Sequence, residues 1–205
     1  MSNLSLRTIG ITGGIACGKS TVCDYLSQKH DCLILDADVL ARSVVSPLSP
    51  VLESIHSRYG TDILTSAGEL NRQRLGEIIF HDADERRWLE SMIHPEVRRN
   101  LIEGRDRYWT THSQPSQPLI MSIPLLFESG MEDLVTEVWV ITCTPTQQRN
   151  RLIARNRLSI SDAAARIQSQ WPLSAKIKRA SLVIDNSRTR QDVYQQVDVA
   201  LRAPG

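Results

Sequence analysis

The chain has 205 residues, ample for one α/β domain with a buried core and room for an insertion. A formal net charge of +1 argues against a protein held on nucleic acid by bulk electrostatics, and the longest apolar run, "PLIMSIPLLF", is far too short to span a bilayer. Four cysteines, at 17, 23, 32 and 143, form no C-x-x-C pair, and the five histidines lack metal-site spacing. With no signal-peptide pattern, this reads as reduced thiols in a cytoplasmic protein without membrane or nucleic-acid partners.

The first strand-like run, "TIGIT", breaks into "GITGGIACGKST", residues 10 to 21. Gly13, four further residues and Gly18-Lys19-Ser20 match the G-x-x-x-x-G-K-[ST] spacing of a phosphate-binding loop. Val22, Tyr25 and Leu26 then recur at helical spacing, which supplies the strand-loop-helix context that the motif needs. Backbone N–H groups of the loop, aided by the positive end of the new helix, form an anion nest. Lys19 is expected at the β- and γ-phosphates, the Ser20 hydroxyl on Mg²⁺, and Thr21 at the α-phosphate. A dinucleotide fingerprint fits less well, because the first two glycines are adjacent. Cys17, beside Gly18-Lys19 at a helix N-terminus, is a candidate low-pKa thiol, against the alternative of a small buried filler.

The second strand-like run, "CLILD", ends in the acid pair Asp36 and Asp38 of "LILDADVLAR". Ligands of an open parallel sheet sit outside the carboxyl ends of its strands, which puts both acids near a γ-phosphate. One division of labour makes Asp38 the base for an acceptor hydroxyl and Asp36 a contact to Mg²⁺ through water, or to Lys19. The competing reading makes Asp38 a helix cap before "VLARSVV". Arg42, four residues on, is placed to face the same cleft. Residues 39 to 117 then read as helical throughout and exceed a simple crossover, so they form an insertion closed by the polar loop "THSQPSQPL". The runs "LIMSI", "EVWVIT" and "SLVID" complete five strands alternating with helices, hence a parallel sheet covered on both faces. Between the last two, "QRNRLIARNR" packs Arg149, Arg151, Arg155 and Arg157 together, guanidinium groups of the kind that stabilise phosphoryl transfer from a lid. Arg151 and Arg155 share a helix face, while a solvated basic helix face is the competing reading of the run and the preferred one for Arg149 and Arg157.

A phosphate-binding loop serves kinases, switches and motors alike. The D-x-x-G and N-K-x-D motifs of GTPases are missing, and the runs "LIMSIPLLFE" and "EVWVITCTP" both end without a motor-type aspartate. A kinase is favoured, with a nucleotide-binding regulatory switch as the reading from another class.

In order along the chain, "TGGIACGKST", "DADVLAR", "IHPEV", "IPLLFE", "QRNRLIARN" with its following "SQ", and "VIDN" resemble the dephospho-CoA kinase family over nearly the whole length. The resemblance implies ATP-dependent phosphorylation of the ribose 3′-hydroxyl of dephospho-CoA, with Mg²⁺; another small-molecule or nucleotide kinase of this fold is the alternative. It implies a core of about 6–38, 118–145 and 181–203, a helical CoA-binding insertion of about 39–117, and a lid of about 146–180. Gly13, Gly14, Ile15, Ala16, Cys17, Gly18, Lys19, Ser20 and Thr21 would bind ATP, with Arg151 in support and Asn186 bordering the adenine. Asp38 would be the base, and Arg155 the lid arginine on the phosphates. Arg42, the His94-Pro95 turn, Pro124, Leu125 and Leu126 would contact dephospho-CoA. Ala16, Cys17 and Ser181 stand where the family commonly has Gly, Ser and Asp.

Overall fold

The structure is a computed structural model that describes residues 7–112 and 117–202, the side chain of His81 excepted. Part of the loop expected at 111–119 therefore lies outside the described residues. Five strands form one parallel sheet: β1 (Thr8–Gly13), β2 (Ile34–Asp36), β3 (Leu119–Ser122), β4 (Glu137–Thr142) and β5 (Leu182–Asp185), in the order β2-β3-β1-β4-β5. The β1, β3 and β4 strands are central and nearly wholly buried, as their continuous β-branched and apolar runs require. The edge strands β2 and β5 are only partly covered.

Alternation along β1 sorts its two faces. Ile9 and Ile11 join Val22 and Leu26 of α1 (Lys19–His30) and Val193 and Val197 of α9 (Arg190–Arg202), together with Trp139, Ile141 and Ile184, in a single core cluster. On the opposite face Gly10 lets Leu126 and Val135 approach so closely that an added Cβ would lie 2.8 Å from Leu126 Cδ1. Arg7 ties the start of the sheet to the end of α9, donating to the Ala200 and Leu201 carbonyls while pairing with Glu137. A cation on the last carbonyls of a helix satisfies groups that have no intrahelical partner.

The chain divides into two compact units, residues 1–36 with 104–205, and residues 37–103. The second is helical: α2 (Ala37–Val44), α3 (Pro50–Tyr59), α4 (Arg72–His81) and most of α5 (Ala83–Thr111). Ser49 and Asn71 cap α3 and α4, each accepting a first-turn N–H. Arg58 of α3 donates twice at 2.7 Å to Glu85 of α5, lies 4.5 Å from the Trp88 ring centre, and shares the Glu85 carboxylate with the Tyr59 hydroxyl. The sheet unit also carries α6 (Pro145–Asn156), α7 (Ile160–Gln168) and α8 (Leu173–Lys178), where Thr144 and Gln147 form a capping box for α6. No described helix is long and apolar enough to cross a membrane.

The expected His94-Pro95 turn is replaced by helix. Pro95 sits inside the 29-residue α5, which runs on through it. Proline removes one N–H and crowds the preceding turn, a local penalty that the surrounding long helix absorbs.

Candidate active site

The phosphate loop leaves β1 at Gly13, whose φ of +154° and contact with the next strand (an added Cβ would lie 2.4 Å from the Ile141 carbonyl oxygen) admit only glycine. It re-enters helix at Gly18, φ +99°, where a Cβ would collide with the Asn186 side chain. Ala16 between them also holds a positive φ, +61°. Gly18 occupies the N-cap of α1 and offers no side-chain cap. The first-turn N–H groups at Lys19, Ser20 and Thr21 therefore keep their capacity for an anion at the helix's positive end.

Other N–H groups of the loop are already committed. Ile15 donates to Gln170 at 2.9 Å and Cys17 to the Gly14 carbonyl at 3.1 Å. The Ile15 carbonyl accepts from Gln148 at 3.0 Å, so two glutamines grip the peptides flanking Ile15 from both sides. The expectation that Ile15 and Cys17 present N–H groups to phosphate is corrected accordingly: these serve the loop's own shape. Gln170 is the last residue of the "SQ" motif, and the motif's presence was the signal for it.

Lys19 enters a relay. Its Nζ donates to Ser122 Oγ at 2.7 Å, and Ser122 Oγ donates to Asp36 Oδ2 at 2.8 Å. Ser122 is fully buried at the carboxyl end of β3 and is register partner to Asp36 on β2. Through the Ser122 hydroxyl the sheet thus links Lys19 to the carboxylate that ends the neighbouring strand β2. A buried polar residue within the apolar run "LIMSI" was the available sign.

Arg151 reaches the loop from α6. Its Nη2 donates to the Asn186 carbonyl at 3.1 Å, while Nη1 is buried without a hydrogen-bond partner among the described residues. Asn186, 9% exposed, donates through Nδ2 to the Cys17 carbonyl at 2.8 Å. A cavity of about 320 Å³ opens here, lined by Gly18, Thr21, Arg151, Asn186, Arg188 and Arg190. Three guanidinium groups around a helix N-terminus suit an anion; Arg188 and Arg190 carried no motif signal. Arg155, one turn beyond Arg151, is exposed and donates to the neighbouring Asn156 at 2.9 Å.

Cys17 does not face solvent. Its side chain is fully buried, 3.4 Å from the sulfur of Cys143 at the end of β4. Contact with Cys143 and burial push the Cys17 thiol up, which overturns the low-pKa expectation. Cys143 is the member held down, to about 7, by the hydrogen bond with Cys17 and then by Arg151.

On the acceptor side, the Pro124 carbonyl accepts from Thr12 Oγ1 at 3.0 Å, and Leu125 is half-buried. Leu126 is 0% exposed, packed on Gly10, so it belongs to the core and not to a ligand-lining surface. In the helical unit Asp38 is the second residue of α2, exposed, and therefore is not the cap residue of that helix. Arg42 is exposed one turn later; His94 is half-buried and Pro95 exposed. That unit has its own cavity of about 420 Å³, lined from α5 by Met92, Glu96, Arg99 and Asn100, with neither His94 nor Pro95 in its lining. Ser181 pairs with Val138 at the start of β5, donating its N–H to the Val138 carbonyl and accepting through Oγ, a strand-register role away from the cavity.

Comparison with known proteins agrees with this geometry. Residues 7–192 match the family model described as dephospho-CoA kinase. A dephospho-CoA kinase of Synechocystis sp. is 51% identical over 191 residues, covering 93% of this chain and 92% of that protein. A crystallised Thermus thermophilus protein superposes with a TM-score of 0.76 at 32% identity, covering 96% of each chain. Dephospho-CoA kinase from Campylobacter jejuni superposes with a TM-score of 0.65 at 26% identity, covering 97% of each. A phosphate loop with an acid-linked lysine, on a five-stranded parallel sheet with these relatives along its whole length, leads to one assignment: the chain belongs to the dephospho-CoA kinase family.

Proposed function

We propose that this chain performs the family reaction, transfer of the ATP γ-phosphoryl group to the ribose 3′-hydroxyl of dephospho-CoA to give CoA, with the residue roles that follow. The observation carrying the assignment of the donor site is the Lys19–Ser122–Asp36 relay at the foot of the uncapped α1. A cation hydrogen-bonded to a buried serine that is itself anchored on a carboxylate is pre-oriented for the β- and γ-phosphates, and positioning is a main source of rate in phosphoryl transfer. The first-turn N–H groups of α1 take further phosphate oxygens, Thr21 the α-phosphate, and Arg151, Arg188, Arg190 and Asn186 the remainder of the nucleotide.

The exposed Ser20 hydroxyl beside Lys19 suits a hard cation, and Asp36, the carboxylate at the end of the Lys19 relay, would meet its water shell. Mg²⁺ carried by the phosphates would be held by these two residues and would neutralise charge on the β- and γ-oxygens. Asp38 is the base for the acceptor hydroxyl, and Arg155 reaches the transferring group from the 146–180 lid. Arg42, His94, Pro95, Pro124 and Leu125 bind dephospho-CoA, and residues 39–117 are its binding insertion. Four free, buried cysteines suit a reducing compartment, and we place the enzyme in the cytoplasm.

The test couples ADP release to a spectrophotometric readout with and without dephospho-CoA, and identifies the product by mass. ADP formation dependent on dephospho-CoA, with the added phosphate on the ribose, is the expected result. ADP release indifferent to dephospho-CoA removes the proposal.

A further inference from the structure

The reaction leaves one buried charged residue unused. Lys176, in α8, is 0% exposed, the only lysine or arginine among the buried described residues. Its Nζ lies 2.8 Å from Glu128 Oε1, 3.3 Å from the Pro124 carbonyl oxygen and 3.5 Å from the Gly13 carbonyl oxygen. An ammonium has three protons and no acceptor, and here it meets three oxygens. Those oxygens come from two different loops: Gly13 opens the phosphate loop, while Pro124 and Glu128 belong to the segment after β3.

We propose that Lys176 is a positioning residue for phosphoryl transfer, fixing the first glycine of the phosphate loop to the loop that follows β3. The proposal rests on the kinase reading above. Its surroundings argue that the clamp is built and not incidental. Glu128 Oε1 also accepts the Trp171 N–H at 2.9 Å, and Gln170 next door holds the Ile15 N–H. At the other end of the segment Arg179 donates to Glu132 at 2.6 Å, with its guanidinium 5.1 Å from the Phe127 ring centre. Residues 170–179 are thus tied at several points to both loops, and Lys176 is the single group that touches both at once. The Gly13 carbonyl is directly upstream of the strained turn that aims the cradle, so small shifts there move every donor of the nest. Displacements of that order cost a phosphoryl transfer far more than they cost binding.

Removing a charge from a buried pair destabilises for reasons unrelated to catalysis, because the partner is left alone. The experiment therefore compares Lys176→Met, Glu128→Gln and the double variant. Glutamine keeps the accepting oxygen, and its nitrogen takes the place of Oε2, which has no hydrogen-bond partner among the described residues, so the Lys176 contacts survive. Wild-type transfer to dephospho-CoA is measured first, and its absence would strike the kinase reading alone.

Given wild-type activity, Lys176→Met is expected to lower the melting temperature by about 10 °C. The double variant, with charge balance restored, should recover most of that loss but keep kcat at least about 30-fold below wild type, a deficit of about 2 kcal/mol, with both KM values within about threefold. Glu128→Gln should stay within about threefold of wild-type kcat. A double variant that regains kcat along with stability makes Lys176 a charge-balancing core residue and overturns the proposal. So does a loss of kcat in Glu128→Gln as large as that in Lys176→Met. Should the methionine variants not fold, Glu128→Gln decides alone: retained kcat supports the cation-to-carbonyl clamp, and a loss of 30-fold or more overturns it.

Discussion

Ser122→Ala isolates the relay that sets Lys19. The serine hydroxyl is fully buried and links two charged groups, receiving from Lys19 at 2.7 Å and donating to Asp36 at 2.8 Å. Hydrogen bonds to charged groups contribute about 1.5–3 kcal/mol each. Lys19 and Asp36 are half-buried, so water replaces part of what each loses. A net transition-state loss of about 2 kcal/mol follows, or about 30-fold in kcat. Stability should fall by about 1–2 kcal/mol, about 3–6 °C in Tm for a chain of this size. The assay is dephospho-CoA-dependent ADP release at saturating substrates, alongside thermal melting. Thr142→Val serves as the control, since among the described residues that buried hydroxyl bonds only to the Ile184 carbonyl of the adjacent strand. It should lose stability with kcat within about twofold of wild type. If Ser122→Ala shows the same pattern as this control, the relay has no part in orienting Lys19.

Other residues give sharper separations. Asp38→Asn should lower kcat about 10²-fold with little change in KM for dephospho-CoA; as Asp38 lies inside α2 and is no cap, Tm should hold, and an unchanged kcat would end its role as base. Arg151→Ala should raise KM for ATP and lower Tm, because it strips a partly buried guanidinium from the Asn186 carbonyl, whereas exposed Arg155→Ala should lower kcat at constant Tm; equal, small kcat effects of Arg155→Ala and Arg149→Ala would return Arg155 to a solvated surface. The Glu85 carboxyl is held down from 4.5 to about 2, first by Arg58 and then by Tyr59. A depressed folded pKa stabilises fully above the unfolded value and loses its effect as pH falls from about 4.5 toward 2. The gap in urea midpoint between wild type and Glu85→Gln should therefore narrow from pH 6 to pH 3, and a constant gap would exclude the linkage.

The strands were legible because each is a short apolar or β-branched run bounded by polar residues, and "EVWVIT" coincides with β4 residue for residue. Their spatial order was not. Hydrophobic runs state that a strand is buried, but β3 reaches β1 through register contacts such as Ile9 with Ile120, which no local pattern carries. Pro95 misled for the converse reason. Local propensity marks proline as a break, while a helix of 29 residues has enough remaining bonds to run through it.

The site divides along the same line between local and long-range information. Gly13, Gly18 and Lys19 were readable because loop geometry and helix start are set by neighbours in sequence, and two of the loop's three positive φ values fall on glycines of the motif, the third on Ala16. What orients them comes from far along the chain. Gln148 and Gln170 hold the loop across 133 and 155 residues, Ser122 meets Lys19 across 103, and Cys143 meets Cys17 across 126. Cys17 shows the cost of reasoning from near neighbours only. Proximity to Gly18-Lys19 argues for thiolate, yet the side chain turns under the loop against β4, where burial and a second sulfur argue more strongly for thiol. The glycines and the lysine of the loop belong to its motif, and the groups that hold them come from elsewhere in the chain. A buried serine in β3, Gln148 in the polar first turns of α6, Gln170 in the turn between α7 and α8 and a lysine with no exposed surface are each held by partners that only the fold brings near.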